Sequence, residues 1–120
     1  MSGPDDRGAQ SAAVVSAFNS AWAAHDLVAA LALTSADCVF ESTSPAPDGQ
    51  RYVGHDAISA AWKPIFDDVA SDFTVEESFA AGSRVVQRWR YDWGDGHVRG
   101  VDVFMVEDGK VTQKLAYVKG

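Results

Sequence analysis

Gly100-Val101-Asp102-Val103-Phe104-Met105-Val106, running into Glu107-Asp108-Gly109-Lys110, is the stretch that decides the fold. Successive side chains of a strand point to opposite faces, so period-2 patterning assigns each residue to one side of a sheet. Asp-Gly is the dipeptide that tight two-residue hairpins favour, because both turn positions need a positive φ. The stretch therefore predicts a strand that turns sharply and returns antiparallel. Asp102 shares a register with Gly100, Phe104 and Val106, which places a carboxylate on the face that meets the core. Such a group is costly to bury unless it is paired, protonated or used. Asp102 is thus the leading functional candidate.

The same grammar extends outward. Asp72 to Ala80, Arg84 to Trp93, His97 to Val106 and Lys110 to Lys119 read as four strands, with Gly94-Asp95-Gly96 and Asp108-Gly109 as turns. They form an antiparallel meander. Its inward registers are Val85, Gln87, Trp89, Tyr91 and Trp93, then Val98, Gly100, Asp102, Phe104 and Val106, then Val111, Leu115 and Tyr117. The other face is not uniformly polar, since Val101, Val103 and Met105 follow Arg99. A strand apolar on both sides needs a second cover. A second copy of the chain, sheet against sheet, meets that need, with Arg88, Arg90 and Arg99 placed to pair with acids, so a homodimer is expected.

Upstream the period changes to that of a helix. Val14, Val15, Phe18 and Trp22 mark one apolar face between Ala9 and Ala24. His25-Asp26 breaks it, and Asp26 caps a second helix through Leu27, Leu31 and Leu33. Asp37 to Thr43 reads as a short strand, with Cys38, Phe40 and Ser42 inward, and Ser44 to Gly49 as a loop. Gly54-His55-Asp56 opens a third helix whose stripe is Ile58, Trp62, Ile65, Phe66 and Val69. Helices first, then a meander, indicate an α+β domain over residues 9–120, after a disordered lead-in at residues 1–8.

Composition narrows the partners. The 120 residues carry a formal charge of −7, which disfavours nucleic acid and anionic membrane surfaces. No apolar run approaches the ~20 residues of a membrane span. No hydrophobic signal core is present near the start, and the one cysteine, Cys38, is read as a buried small hydrophobe; both fit a cytoplasmic protein. His25, His55 and His97 lie far apart without ligand-spaced partners, so no metal and no cofactor are expected.

Three helices, the acidic-polar pair Glu41-Ser42, Tyr52-Val53-Gly54-His55-Asp56-Ala57-Ile58, and Val101 to Val111 together resemble the nuclear transport factor 2-like superfamily. The closest likeness is to its SnoaL-like (polyketide cyclase) and ketosteroid isomerase-like branch, over about residues 10–119. The resemblance implies a cone-shaped, curved antiparallel sheet wrapped around the N-terminal helices, with an apolar pocket at one end. It places Phe18 where steroid isomerases carry an oxyanion-holding Tyr, Ser42 where they carry a general-base Asp, and Asp102 where they carry a protonated Asp. In SnoaL-like cyclases a single Asp acts as acid and base, a role Asp102 matches. Arg90-Tyr91-Asp92 echoes the Arg-x-Asp of epoxide hydrolases of this fold, whose last-strand Asp is Ala116 here.

The candidate catalytic residues are therefore Asp102, Ser42 and Tyr91. The candidate ligand-binding residues are Phe18, Trp22, Phe40, Trp62, Phe66, Gln87, Trp89, Phe104 and Tyr117. The expected function is binding of a small hydrophobic molecule, with acid–base isomerisation or aldol cyclisation of a carbonyl compound through Asp102. The alternatives are a non-catalytic ligand-binding module and a dimeric assembly module.

Overall fold

A computed structural model describes residues 5–120. In chain order its elements are α1 (Asp5–Ala23), α2 (Leu27–Ala32), β1 (Thr34–Glu41), β2 (Arg51–Val53), α3 (His55–Asp67), β3 (Asp72–Ala81), β4 (Arg84–Asp92), β5 (His97–Glu107) and β6 (Lys110–Val118). The strands form one six-stranded sheet in the order β2-β1-β6-β5-β4-β3. It is curved and unclosed, with the helices against its inner face. Every neighbouring pair is antiparallel except β1 and β6, which run parallel and make the sheet mixed.

The helix starts follow local chemistry. The Asp26 side chain accepts a hydrogen bond from the Ala29 N–H and so caps α2, satisfying a donor that the first helical turn leaves open. Of the expected lead-in, residues 1–4 lie outside the described residues, and residues 5–8 belong to α1. The stripe on α3 buries Ile58, Trp62 and Phe66. Val69 falls beyond the helix end and is 78% exposed, so it is not part of that stripe. The core is largely aromatic. Trp62, fully buried, touches Phe18 and Trp22 of α1, Phe40 of β1 and Phe66, and burying a ring of this size contributes about 3 kcal/mol.

The meander keeps its expected registers through β4 and β5: Val85, Gln87, Trp89, Gly100, Asp102, Phe104 and Val106 are all buried. Trp93 lies past the end of β4 and is exposed. In β6 the expected register fails. Met105 pairs with Gln113 but Val106 with Val111, so Thr112 is an extra residue that bulges the strand. An inserted residue reverses the facing of everything after it. Val111 stays inward, but Lys114 then replaces Leu115 on the inner face. Tyr117, expected inward as a ligand contact, is 56% exposed on the outer side.

Two further differences concern the other sheet edge. The first strand begins at Thr34 and ends at Glu41, which leaves Ser42 and Thr43 in the following loop. Arg51–Val53, a segment to which the sequence pattern assigns no element, pairs with Val39 to Glu41. Three residues are too few for periodicity to register.

Candidate functional site

The site begins with a row of polar side chains across the inner face of the sheet. Gln87 on β4 lies directly opposite Asp102 on β5, and Asp102 opposite Ala116 on β6, so Lys114 is its diagonal neighbour on the same face. The Gln87 amide donates from Nε2 to Asp102 Oδ2 at 3.1 Å. Lys114 Nζ donates to Asp102 Oδ1 at 3.4 Å. On the far side Gln87 and Asn19 of α1 exchange two hydrogen bonds, of 2.7 and 3.1 Å. The row Asn19–Gln87–Asp102–Lys114 thus ties α1 to three strands. Its last two members form an ion pair with side chains only 1% and 7% exposed. Burying both charges without such a partner would cost several kcal/mol each, which is why the carboxylate and the ammonium occur together.

Lys114 also carries the row to an opening. Its ammonium sits over the faces of Trp22, Phe40 and Phe104, with centroids at 4.8, 5.2 and 6.0 Å. Ring quadrupoles attract a cation held in this way. Together with Trp22, Phe40, Tyr52, Phe73, Trp89 and Tyr91, Lys114 lines a cleft of about 360 Å³, with Ser42, Thr43 and Ser44 at one side. Asp102 does not line this cleft: Lys114 stands between it and the space. A larger depression of about 510 Å³ lies between α1 and the turns at Ser83 and Asp108, but its lining is mostly polar or charged and holds none of the buried row.

The candidates from sequence separate accordingly. Trp22, Phe40, Trp89, Ser42 and Tyr91 are brought together as lining of the cleft. Phe18, Trp62, Phe104 and Gln87 are fully buried behind it, and Phe66 borders a void of about 10 Å³ beside His25. Tyr117 is on the opposite side of the sheet, as the β6 bulge requires. The Ser42 hydroxyl donates to the Ser44 carbonyl and accepts from the Gln50 N–H, which fixes the loop beside the cleft. Trp89, one wall, has a buried indole N–H without a hydrogen-bond partner among the described residues; so has Trp62 in the core.

Two residues of the row were not singled out from sequence. Asn19 had a signal, since Val15, Asn19 and Trp22 follow at i, i+4 and i+7 on one helix face. Lys114 had none: Lys110-Val111-Thr112-Gln113-Lys114 reads as a solvated strand until its pairing is known.

Other groups serve the frame. The Arg90 guanidinium holds Asp92 through bonds of 2.8 and 3.1 Å, on the register opposite to Trp89 and Tyr91. The hydrogen bond from Arg90 keeps the Asp92 carboxyl below its ordinary range. His25, at the corner after α1 with φ of 56°, has its ring nitrogens 3.2 and 3.1 Å from the Phe66 and Ser71 carbonyls. Burial pushes the Cys38 thiol up to about 11, with the Asp37 charge adding to the effect, so it is no ready nucleophile. Among the described residues no three His, Cys, Asp or Glu side chains are grouped to hold a metal ion, and no helix is long and apolar enough to cross a membrane.

Comparison with known proteins agrees with this architecture. No curated protein matches the chain significantly. An NTF2-like protein of unknown function from Mesorhizobium loti superposes with a TM-score of 0.88 at 42% identity, covering 98% of each chain. A steroid delta-isomerase from Pseudomonas aeruginosa gives a TM-score of 0.75 at 22% identity, covering 93% of this chain and 81% of the other. An LEH-like epoxide hydrolase from M. tuberculosis gives 0.72 at 20%, covering 93% and 84%. The last two likenesses establish the fold alone, because one fold hosts many chemistries. The family model of the SnoaL-like domain matches residues 15–114, from the second half of α1 to the middle of β6. The chain belongs to the SnoaL-like domain family, within the nuclear transport factor 2-like superfamily.

Proposed function

We propose that the protein binds a small, neutral, largely aromatic or alicyclic carbonyl compound in the cleft and enolises it through the Asp102–Lys114 pair. The observation that carries this reading is the position of Lys114, a buried ammonium at the wall of an aromatic cleft with its countercharge held behind it. The ring-lined walls suit an apolar body, and the few polar groups suit one oriented polar substituent. Charge selects the substituent. Asp102 and Lys114 already cancel, so a carboxylate ligand would add an unmatched negative charge in an apolar space. A neutral carbonyl oxygen can accept an N–H from Lys114 without disturbing that balance.

Enolisation puts negative charge on the carbonyl oxygen, and an ammonium already in place stabilises that charge without reorganisation. Asp102 takes a proton from Lys114, the freed amine removes the proton from the carbon beside the carbonyl, and the ammonium so re-formed stands against the enolate oxygen, while Gln87 and Asn19 hold the Asp102 carboxyl in position. Ser42 and Tyr91, also in the lining, supply the remaining polar contacts.

The test is deuterium exchange at the carbon beside the carbonyl of a simple aryl ketone, followed by NMR in D2O, alongside quenching of tryptophan fluorescence. Quenching together with exchange that Lys114→Met abolishes supports the full reading. Quenching without exchange reduces the protein to a ligand-binding module. Absence of both overturns the assignment of the cleft.

A homodimer through the outer face of the sheet accompanies this function. Phe79, Val86, Val103 and Leu115 are paired successively across four strands, forming an apolar row on that face. Phe79 is 58% exposed. The ion pairs Arg88–Glu77 and Arg99–Glu76 lie beside the row. A patch carrying both signs around an apolar centre can complement itself about a two-fold axis. A cytoplasmic home fits the single thiol of Cys38.

A further inference from the structure

The amine of Lys114 has a second capacity that hydrogen bonding does not use. We propose that Lys114 is a covalent site, condensing with the carbonyl group of an aldehyde or ketone in the cleft to give an iminium paired with Asp102. The inference rests on the cleft being a ligand site and goes further, by making activation of the carbonyl covalent.

Four observations carry it. Lys114 differs from the other lysines: Lys63 is paired with Asp67 on the exposed side of α3, Lys110 donates to the Ala32 carbonyl at the surface, and Lys119 is exposed. Its ammonium has three donors, yet the one hydrogen bond found for it among the described residues is the 3.4 Å contact to Asp102. Charge-assisted N–H···O contacts are ordinarily about 2.7–2.9 Å, so this amine is not locked into a tight pair. Around it stand the ring faces of Trp22, Phe40 and Phe104, which shed water from the surroundings of its nitrogen. Finally, the proton has a defined destination, since Asp102 is beside Nζ and is itself steadied by Gln87.

The step balances. Lys114 passes a proton to Asp102, and the freed nitrogen lone pair attacks the carbonyl carbon while the carbonyl electron pair moves to oxygen. A second proton moves from nitrogen to that oxygen, giving the carbinolamine. Asp102 returns its proton to the hydroxyl, the C–O bond breaks and water leaves. One carbonyl and one ammonium thus become one iminium and one water, with the positive charge retained at nitrogen and the carboxylate restored opposite it. No oxidant or reductant takes part. An iminium withdraws electrons from the adjacent carbon more strongly than a carbonyl does, so it serves the same enolisation-type chemistry.

Benzaldehyde fits the cleft chemistry as a probe, and sodium cyanoborohydride converts an iminium into a stable secondary amine. The native protein treated with both, then mapped by peptide mass spectrometry, should carry one benzyl group on Lys114 before Lys63, Lys110, Lys119 or the N-terminus is labelled. Lys114→Arg, which keeps the charge opposite Asp102, should lose that adduct and leave the surface labelling unchanged. Even labelling of all amines, or labelling that omits Lys114, overturns the proposal. Benzyl alcohol, which has no carbonyl, separates the two readings. If alcohol and aldehyde both quench tryptophan fluorescence and no Lys114 adduct forms, the covalent step falls and the cleft reading stands. If neither quenches and no adduct forms, both fall.

Discussion

Lys114 reaches Asp102 across the inner face of the sheet because β6 carries one residue, Thr112, more than β5 between the pairs Met105–Gln113 and Val106–Val111. Without that residue the alternation would turn Lys114 to the outer face and bring Leu115 inward. Asp102 would then lie beneath an aromatic cleft with Gln87 as its only polar neighbour from the row. The bulge therefore decides both the electrostatics of the core and the chemistry offered to the cleft.

Removing either charge should expose that dependence. Lys114→Met leaves Asp102 buried without its countercharge, and breaking a buried pair in this way costs about 3–5 kcal/mol. The double variant Lys114→Met with Asp102→Asn should recover most of the loss, because neither charge remains. Urea unfolding of the two single variants and the double variant measures the coupling. Additive losses would show that the two groups do not depend on each other.

Gly100 supports the cleft from behind. A Cβ at this position would meet the Tyr117 carbonyl oxygen at 2.2 Å and the Trp89 ring at 2.4 Å. The Tyr117 contact is backbone and cannot move aside without loosening the β5–β6 ladder. Gly100→Ala should therefore lower stability by about 1–3 kcal/mol and shift the Trp89 ring. Thermal unfolding and near-UV circular dichroism would register the two effects together. An unchanged Tm would contradict the packing.

Cys38 gives a pH dependence with a defined sign. Its thiol titrates near 9.0 when unperturbed and at about 11 in the folded chain. The folded state holds this proton more tightly, so its contribution is fully present below pH 9 and is lost as pH rises towards 11. Linkage sets the loss at about 2–3 kcal/mol. Denaturant titrations across this range should show a fall for the native chain that Cys38→Ala lacks. In the folded state at neutral pH the thiol should also resist alkylation.

The outer apolar row predicts the oligomer. Val103 lies at its centre, between Val86 and Leu115. Val103→Glu should yield a monomer by sedimentation while leaving tryptophan quenching by a cleft ligand intact, since the two faces of a strand are independent. A native chain that sediments as a monomer at all concentrations would remove the dimer.

His25 should prove structural. It joins the corner after α1 to the Phe66 and Ser71 carbonyls around the end of α3. His25→Ala removes both contacts and should cost about 1–3 kcal/mol. Stability should fall with no direct change at Lys114, which labelling of the folded variant would verify.

How far the chain could be read without its structure differs from element to element. The helical stripe at Val15, Phe18 and Trp22, the Asp26 cap and the Asp108-Gly109 turn are local patterns, and each forms where the residues indicate. Asp102 was legible for the same reason, as a carboxylate in the register of Phe104 and Val106. β2 was not, because three residues make no pattern. Strand alternation alone turns Tyr117 inward and Lys114 outward, and the structure reverses both because they follow the Thr112 bulge.

Periodicity, capping and turn chemistry act over a few neighbouring residues, and they suffice to specify an α+β chain with a meander, an aromatic core and a buried acid at position 102. What that acid faces depends on how distant strands pair. Pairing between β5 and β6 places the extra residue at Thr112, and side-chain facing in a strand reverses with each added residue. That one displacement brings Lys114 to Asp102 and to the cleft, a result that no local pattern encodes.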